Sequence, residues 1–414
     1  MPFFGLLMMA WLAAPALGAD DAPVPVAEEA DLDHLRALGY IDFADTAAPA
    51  ELSGVVAYVA GRSQPGFSLY ASRPLMRAEL LAPSGEVIQH WQGSGTGHWS
   101  RVRLLPGGDL LVVGSDRKRE KGRRVADEQR FLERRTWDDR VLWRRAVGAH
   151  HDVTVTPDGR IAALFSEERR IAAVDAEAWI RDEGVAFFTE DGDPLGSTLF
   201  YDLLASRPDR FTFRPVRKRS LDGRTLIDLL HVNSLHWLDW PELAARGPLY
   251  QPGLLLFCMR NQDAIAVVDL ARGELVWSWG QGEIRGPHDA SWLPNGHILL
   301  FDNRLGEDWS RAIELDPLAR KIVWEWKAEP PTAFYTRSRG SVQRLANGNT
   351  LLGESDRGHA LEITRSGEVV WDWWNPNRDA EGRPATIIRM ERYAPDFVAR
   401  ILRAAKAPEN PSQR

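Results

Sequence analysis

A short unit that recurs along the chain constrains its fold more than any other feature. The segments HDVTVTPDGRIAAL, from His151, and HDASWLPNGHILLF, from His288, both place a His-Asp pair six residues before a turn proline. A related segment from Gly340 keeps the strand and the turn without the histidine, and another carries its histidine, His98, two residues further from the turn. Repeats that stack around an axis turn equivalent positions into neighbours. The spacing therefore predicts that these distant histidines converge.

A second recurring type of strand indicates where each unit ends. In these strands Val or Ile alternates with Trp, which is typical of strands with one face buried between sheets. They read GEVIQHW, RVLWRR, GELVWSW, KIVWEW and GEVVWDW, and they begin at Gly85, Arg140, Gly273, Lys321 and Gly367. Units beginning near residues 97, 149, 230, 286 and 340 recur at intervals of about 45–60 residues, the size of a four-stranded propeller blade.

An additional unit over residues 52–91 brings the number of blades to six. The sequence therefore predicts an all-β fold, a six-bladed β-propeller with a short N-terminal extension and a helical insertion. The insertion is expected in residues 176–224, where the stretches AEAWIRD and LFYDLLAS have a helix-like pattern. A seventh blade hidden in that segment is the alternative. A two-sheet sandwich would not explain why the units recur.

The chain divides into four predicted parts. Residues 1–19 are apolar and end in small residues, which predicts a signal peptide or a membrane anchor and hence export to the periplasm or the cell exterior. Residues 20–50 form an acidic, alanine-rich segment with a short helix, residues 51–390 the propeller, and residues 391–414 a C-terminal tail. The net charge of −7 argues against nucleic acid as a partner. No membrane contact is expected beyond the possible anchor, and the oligomeric state stays open.

Polar side chains at the starts of the predicted blades are the candidate site residues. His151, His231 and His288 each stand where an innermost strand meets one mouth of the channel, and Asn233 follows His231 closely. In the last blade His359 opens a second strand, next to the channel. Three histidines at equivalent positions of different blades favour a shared site over three unrelated loop residues.

Two arginines extend this candidate site. Arg304 and Arg311 lie close in sequence to the histidine of their blade, and a planar guanidinium matches the oxygens of sulfate or phosphate. Metal binding is disfavoured because no HxH or HExxH spacing occurs, and no cofactor is predicted. The alternative is a neutral imidazole that acts as a nucleophile while the other cationic groups stabilise the transferred anion.

Three segments resemble the bacterial arylsulfotransferase family. They are LLHVNSLHW around His231, PHDASWLPNGHILLFDN from Pro287, and the run LGESDRGHALEI that ends the last blade. The resemblance covers about residues 140 to 375. It implies a six-bladed propeller that moves a sulfuryl group from an aryl sulfate ester to a phenolic acceptor. The reaction would follow a ping-pong route through a sulfated histidine, without a nucleotide donor.

The resemblance also assigns residue roles. It implies that His359 is the histidine that becomes sulfated, and that His231, His288 and Arg304 stabilise the transferred group. Arg311 is the rival of Arg304 as the oxyanion-binding arginine. His151, Asn233 and Arg311 are expected to bind substrate.

Two features depart from the family, and two other functions remain open. The chain has no room for the N-terminal β-domain of the well-studied type, and Cys258 is its only cysteine. A propeller used as a non-catalytic binding scaffold is one alternative function. A quinoprotein-type oxidoreductase is the other, although vicinal cysteines and clustered Asp-Asn ligands are absent from the sequence.

Overall fold

The computed structural model describes residues 42–117, 123 and 125–406. The predicted signal peptide and the predicted short helix of the N-terminal segment lie outside these residues. Within them, no helix is long and apolar enough to cross a membrane.

The strands of the first half of the chain are β1 (Gly54–Tyr58), β2 (Phe67–Ser72), β3 (Arg77–Leu81), β4 (Val87–Gln92), β5 (His98–Leu104), β6 (Leu110–Ser115), β7 (Arg130–Arg135), β8 (Val141–Ala146), β9 (Ala149–Val155), β10 (Ile161–Arg169), β11 (Trp179–Phe188), β12 (Pro194–Leu199), β13 (Arg219–Leu221) and β14 (Arg224–Asp228). Those of the second half are β15 (Val232–Trp237), β16 (Leu255–Met259), β17 (Ala264–Asp269), β18 (Glu274–Trp279), β19 (His288–Trp292), β20 (Ile298–Asp302), β21 (Arg311–Asp316), β22 (Lys321–Trp326), β23 (Ser341–Arg344), β24 (Thr350–Glu354), β25 (His359–Ile363), β26 (Val369–Trp374) and β27 (Ile387–Tyr393). The described residues also contain two α-helices, α1 (Phe200–Ala205) and α2 (Pro395–Lys406).

These strands form six sheets, the blades of a propeller, which confirms the predicted fold class. From the channel outward, blade 1 is β27-β2-β3-β4, blade 2 is β5 to β8, blade 4 is β15 to β18 and blade 5 is β19 to β22. Blade 3 has the order β9-β10-β11-β14-β13, with β12 also paired to β11, and blade 6 has the order β23-β24-β25-β26-β1. Strands from both ends of the propeller sequence thus close the ring. The last strand, β27, is the innermost strand of blade 1, and the first strand, β1, is the outermost strand of blade 6.

Alternating side chains explain why the blades stack. Along β16, Leu255 and Phe257 belong to the core between blades 3 and 4, whereas Leu256 and Cys258 belong to the core between blades 4 and 5. A separate apolar cluster fills each of the other four junctions between neighbouring blades. Full burial of one such side chain contributes about 1.5–3 kcal/mol. The strands are therefore apolar on both faces at their centres, and each blade needs two neighbours.

Polar ties join the innermost strands around the channel. The Asp152 carboxylate of blade 3 accepts a hydrogen bond from the Leu235 backbone N–H of blade 4, at 2.9 Å. The Asp289 carboxylate of blade 5 accepts one from the Val342 N–H of blade 6, also at 2.9 Å. Arg389 on β27 lies within 3.5 Å of the first carboxylate and 3.0 Å of the second. The aspartate of each His-Asp pair thus holds the next blade.

The structure corrects three details of the predicted organisation. The unit at residues 52–91 is not one blade, because β1 completes blade 6 and β27 completes blade 1. The stretch AEAWIRD is not helical, since it runs into β11, the third strand of blade 3; LFYDLLAS does contain a helix, α1. Strand β27 ends at Tyr393 and so crosses the predicted boundary at residue 390. The segment 176–224 forms no seventh sheet among the described residues.

Candidate active site at the channel mouth

A cavity of about 1060 Å³, including the part that opens to solvent, lies where the innermost strands begin. Five histidines from the starts of blades 2 to 5 line it: His98, His150, His151, His231 and His288. Four arginines line it as well: Arg73, Arg130, Arg181 and Arg339. The cavity therefore combines imidazoles with cationic groups, a composition suited to an anionic ligand.

His231 has one nitrogen held by a carboxylate and the other turned to the cavity. Its Nδ1 lies 2.7 Å from Asp228 Oδ2, and both residues are buried. Because a carboxylate only accepts, Nδ1 carries the proton and Nε2 keeps its lone pair. Nε2 makes no hydrogen bond with any described residue. Burial lowers the pKa of His231 to about 4 despite the opposing effect of Asp228, so the ring is neutral at neutral pH.

His151 lies beside His231, with ring centroids 4.9 Å apart. Its Nδ1 is 2.7 Å from Nδ1 of His150, so one of these two rings donates a proton that the other accepts. Burial is the largest cause that lowers the pKa of both rings well below the usual imidazole value. His150 Nε2 in turn lies 3.6 Å from Glu183 Oε1. Three adjacent neutral imidazoles therefore extend from His231 toward the interior of blade 3.

His288 approaches the cavity from blade 5. Its Nδ1 donates to the Gly286 carbonyl at 3.0 Å and to Asn303 Oδ1 at 2.7 Å. The Asn303 amide nitrogen donates to the Arg339 carbonyl at 2.7 Å, which leaves its oxygen as the acceptor for His288. Burial lowers the pKa of His288 well below the usual value, with Arg260 adding to the effect. The Nε2 lone pair of His288 is thus also available.

Blade 6 supplies an arginine where blades 3 and 4 supply a histidine. His151, His231 and Arg339 share a left-handed backbone conformation just before or within the start of an innermost strand, with φ of 55°, 53° and 61°. Arg339 is 8% exposed and precedes Gly340, the position at which the sequence repeat loses its histidine. The repeat marks this place in the sequence, but a missing histidine gives no sign of the arginine beside it.

The structure brings together only some of the predicted site residues. His151, His231 and His288 converge as expected, whereas His359 does not line the cavity. His359 opens β25, the third strand from the channel rather than the second. Its Nδ1 lies 2.7 Å from Glu354 and its Nε2 3.0 Å from Asp372.

Both nitrogens of His359 therefore face carboxylates, which makes the ring a donor at both ends. Burial opposes its charge, but the hydrogen bonds to Asp372 and Glu354 outweigh burial and raise the pKa of His359. The ring also stacks on Trp374, with centroids 4.3 Å apart. An imidazolium held in this way has no lone pair for attack on sulfur, so the expected role of His359 as nucleophile is at odds with its surroundings.

The predicted arginines and Asn233 also lie outside the lining of the cavity. Arg304 donates to Glu307 from both Nε and Nη2, at 3.0 and 2.6 Å. Arg311 donates to Asp302 at 2.8 Å, to Glu325 and to a backbone carbonyl. Asn233 is buried and its amide nitrogen donates to a carbonyl of blade 5 at 2.8 Å. The side chains of these residues are therefore hydrogen-bonded within the fold and do not contact the cavity.

Several cavity residues escaped the sequence interpretation. Arg130 and Arg181 belong to β7 and β11, which are not innermost strands, so the repeat gives no sign of them. His150 lies beside the predicted His151, and His98 belongs to the repeat whose histidines are expected to converge, although neither is among the predicted site residues. In the described part of the chain no group of three or more His, Cys, Asp or Glu side chains is placed to hold a metal ion.

Comparison with known proteins identifies one family. The family model described as Arylsulfotransferase (ASST) matches residues 121–376. No protein of curated function matches the chain.

Several solved structures resemble this chain at low sequence identity. One is a protein of unknown function from Bacteroides caccae, with a TM-score of 0.49, 15% identity, and coverage of 79% of this chain and 98% of the other. Another is a functionally unknown protein from Desulfotomaculum acetoxidans, with a TM-score of 0.43, 11% identity, and coverage of 80% and 100%. A third is virginiamycin B lyase from Staphylococcus aureus, with a TM-score of 0.41, 10% identity, and coverage of 79% of this chain and 89% of the other. With TM-scores below 0.5, these likenesses bear on no point of function.

Proposed function

Because the chain belongs to the arylsulfotransferase family, we propose that it transfers a sulfuryl group from an aryl sulfate ester to a phenolic acceptor, with His231 as the group that carries it. The observation that supports this choice is the unpartnered Nε2 of His231, which faces a cavity lined by arginines. A neutral imidazole with its lone pair directed at a bound sulfate ester is an effective nucleophile near neutral pH.

In the first step His231 Nε2 forms a bond to sulfur while the bond between sulfur and the phenolic oxygen breaks. The departing phenolate takes the electron pair of that bond, and the sulfuryl group stays on the ring. The ring thereby gains positive charge, and the Asp228 carboxylate at Nδ1 stabilises it. In the second step an acceptor oxygen attacks sulfur, and the bond to Nε2 breaks.

The other cavity residues have complementary roles in this proposal. Arg339 neutralises charge on the sulfuryl oxygens, and its backbone is tied to His288 through Asn303. The Nε2 atom of His288 or of His151 accepts the proton of the acceptor hydroxyl. Arg339 thus takes the oxyanion role predicted for Arg304, and His231 takes the role predicted for His359.

The experiment that tests the proposal uses p-nitrophenyl sulfate with and without a phenol acceptor. Acceptor-dependent release of p-nitrophenol is expected from the wild-type protein and is expected to vanish in His231→Ala. His90→Ala is the matched control, because His90 is an exposed residue of β4, far along its blade from the channel. His359→Gln is expected to keep activity in proportion to its folded fraction.

Two outcomes would overturn the proposal. Transfer that survives in His231→Ala but disappears in folded His359→Gln would return the nucleophile to His359. Failure of the folded wild-type protein to transfer sulfate between any phenolic pair would favour a binding scaffold instead. Trapping of a sulfated peptide that contains His231 would identify the carrier directly. Export of the protein remains part of the proposal, and fractionation of cells that express the full chain tests it.

A further inference from the structure

Arg181 carries a guanidinium that the proposed transfer does not use. Its side chain is 8% exposed and lines the cavity at the start of β11 in blade 3. Nε donates to the Ser166 hydroxyl at 3.1 Å. Neither terminal nitrogen, Nη1 or Nη2, has a hydrogen-bond partner among the described residues. Because Arg181 lines the cavity, these two nitrogens are free to donate to a molecule bound there.

A second guanidinium reaches the same hydroxyl from the neighbouring blade. Arg130 on β7 donates from Nη1 to Ser166 at 3.1 Å and is also paired with Asp127. Arg130 thus has the Asp127 carboxylate beside it, whereas no carboxylate of the described residues is hydrogen-bonded to Arg181. The junction of blades 2 and 3 therefore has the elements of an anion site.

At this junction Arg181 differs from the other arginines of the cavity in how its charge is paired. The cavity is lined by four arginines and by two carboxylates, Asp127 and Glu168, but Arg73 and Arg339 lie on other blades, beside Asp42 and Asp356. The carboxyl nearest to Arg181 is Glu183, whose Oε1 lies 3.8 Å from Nε. Burial, reinforced by Asp228, raises the pKa of Glu183 and so weakens its pairing with Arg181.

The distance between this junction and His231 indicates the size of the ligand that could contact both. His151 and His150 lie between His231 and the region of Arg181, and Glu183 is near both His150 and Arg181. Leu221 and Leu226 contribute apolar surface to the same cavity. An aromatic ring packed there would have one end near His231 and the other near the two guanidiniums.

We propose that Arg181, together with Arg130 and Ser166, binds an oxyanion borne by the substrate ring itself, so that the protein acts on phenols that carry a second, anionic substituent such as a carboxylate. The identity of the ring as a phenol rests on the proposed sulfuryl transfer, whereas the anion site rests on the arginines alone. The planar fork of a guanidinium matches a carboxylate in a bidentate pair, and a sulfonate or phosphate offers the same oxygens.

The test is direct binding, measured by calorimetry at neutral pH and low salt. p-Hydroxybenzoate is expected to bind at least about tenfold more tightly than its methyl ester, as expected for one charge-assisted hydrogen-bonded pair. In Arg181→Gln the ratio of the two dissociation constants is expected to fall toward one. Arg207→Gln, which removes a surface arginine paired with Asp209, should leave it unchanged. p-Hydroxybenzenesulfonate and p-hydroxyphenyl phosphate show which oxyanion is preferred.

The results separate this inference from the proposed function. Equal binding of the acid and its methyl ester to the wild-type protein, or an unchanged preference in folded Arg181→Gln, would overturn the anion site. If binding prefers the acid in a way that depends on Arg181, but no sulfuryl group is transferred, the proposed transfer is overturned and the anion site stands. Arg130→Gln removes the second guanidinium, so it supplies the same comparison if Arg181→Gln does not fold. A preference retained in full by that folded variant would then count against the site.

Discussion

Replacement of Asp152 by alanine tests whether the aspartate of the repeated His-Asp pair exists for stability. Asp152 is fully buried and accepts hydrogen bonds from the N–H groups of Leu235 and Val153, at 2.9 and 3.0 Å. It also pairs with Arg101 at 3.1 Å and lies 3.5 Å from Arg389. Removal of one partner from such a buried network costs about 3–5 kcal/mol. We expect a loss of this size in Asp152→Ala.

Two further aspartates calibrate this loss. Asp289 holds one backbone N–H and one arginine, and its side chain is 13% exposed, so Asp289→Ala should cost about 1–3 kcal/mol. Asp158 is 59% exposed and paired only within its turn, so Asp158→Ala should cost less than about 1 kcal/mol. The ordering of the three variants follows from the partners that each carboxylate holds.

The assay is equilibrium unfolding in urea, in which the midpoint reports the free energy of unfolding when the slope is unchanged. Burial opposes ionisation of Asp152, but Arg389 and Arg101 outweigh it and lower its pKa. The stability contributed by Asp152 is therefore present above the ordinary aspartate pKa of about 3.9 and is lost as the pH falls through the lower folded value. A loss in Asp152→Ala no larger than in Asp158→Ala at neutral pH would refute the reasoning.

Three other predictions concern the histidines. Asp228→Asn removes the charge that holds His231, and it is expected to slow sulfuryl transfer about 10–100-fold in single-turnover release of p-nitrophenol, without loss of folding. Because the pKa of His231 is lowered to about 4, the rate should fall on the acid side near that value rather than near 6.5, as a pH–rate profile would reveal. His359→Gln should destabilise the fold by about 3 kcal/mol, because it removes the cation that lies between Glu354 and Asp372 and leaves Glu354 only the more distant Arg357, at 3.4 Å. This loss of stability should be complete below the ordinary imidazole pKa and should diminish as the pH rises through the raised pKa of His359 in the folded protein. Thermal unfolding of both proteins at several pH values checks it.

The repeat predicted more of the fold than of the site. Period-2 patterning, tight turns and the recurring Trp-rich strand identified six blades because these signals are local and survive without knowledge of the partner strand. The closure of the ring was not predicted, since β1 and β27 join blades that lie at opposite ends of the chain. Pairing across more than three hundred residues leaves no local pattern.

The repeated His-Asp pair contained two functions that the sequence did not separate. In blade 3 the histidine, His151, faces the cavity, whereas the neighbouring Asp152 binds the next blade. The left-handed backbone of His151 and the bulge in the pairing of β9 with β10 interrupt the regular alternation of the strand there, and His150 and His151 both line the cavity. Equivalent positions did converge, as the spacing required. The arginine at the start of blade 6, Arg339, converged with them for the same geometric reason.

What the sequence by itself determined is therefore the repeating unit, the propeller fold and the end of the channel at which histidines gather. Tertiary structure alone decided which side chains share the cavity and which protonation state each histidine adopts. His231 and His359 are both buried histidines beside carboxylates, yet the first keeps a free nitrogen toward the cavity and the second is closed between Glu354 and Asp372. The physical reason is that burial and the number of acceptors around a ring, which set its pKa and its lone pairs, come from strands that are distant in sequence.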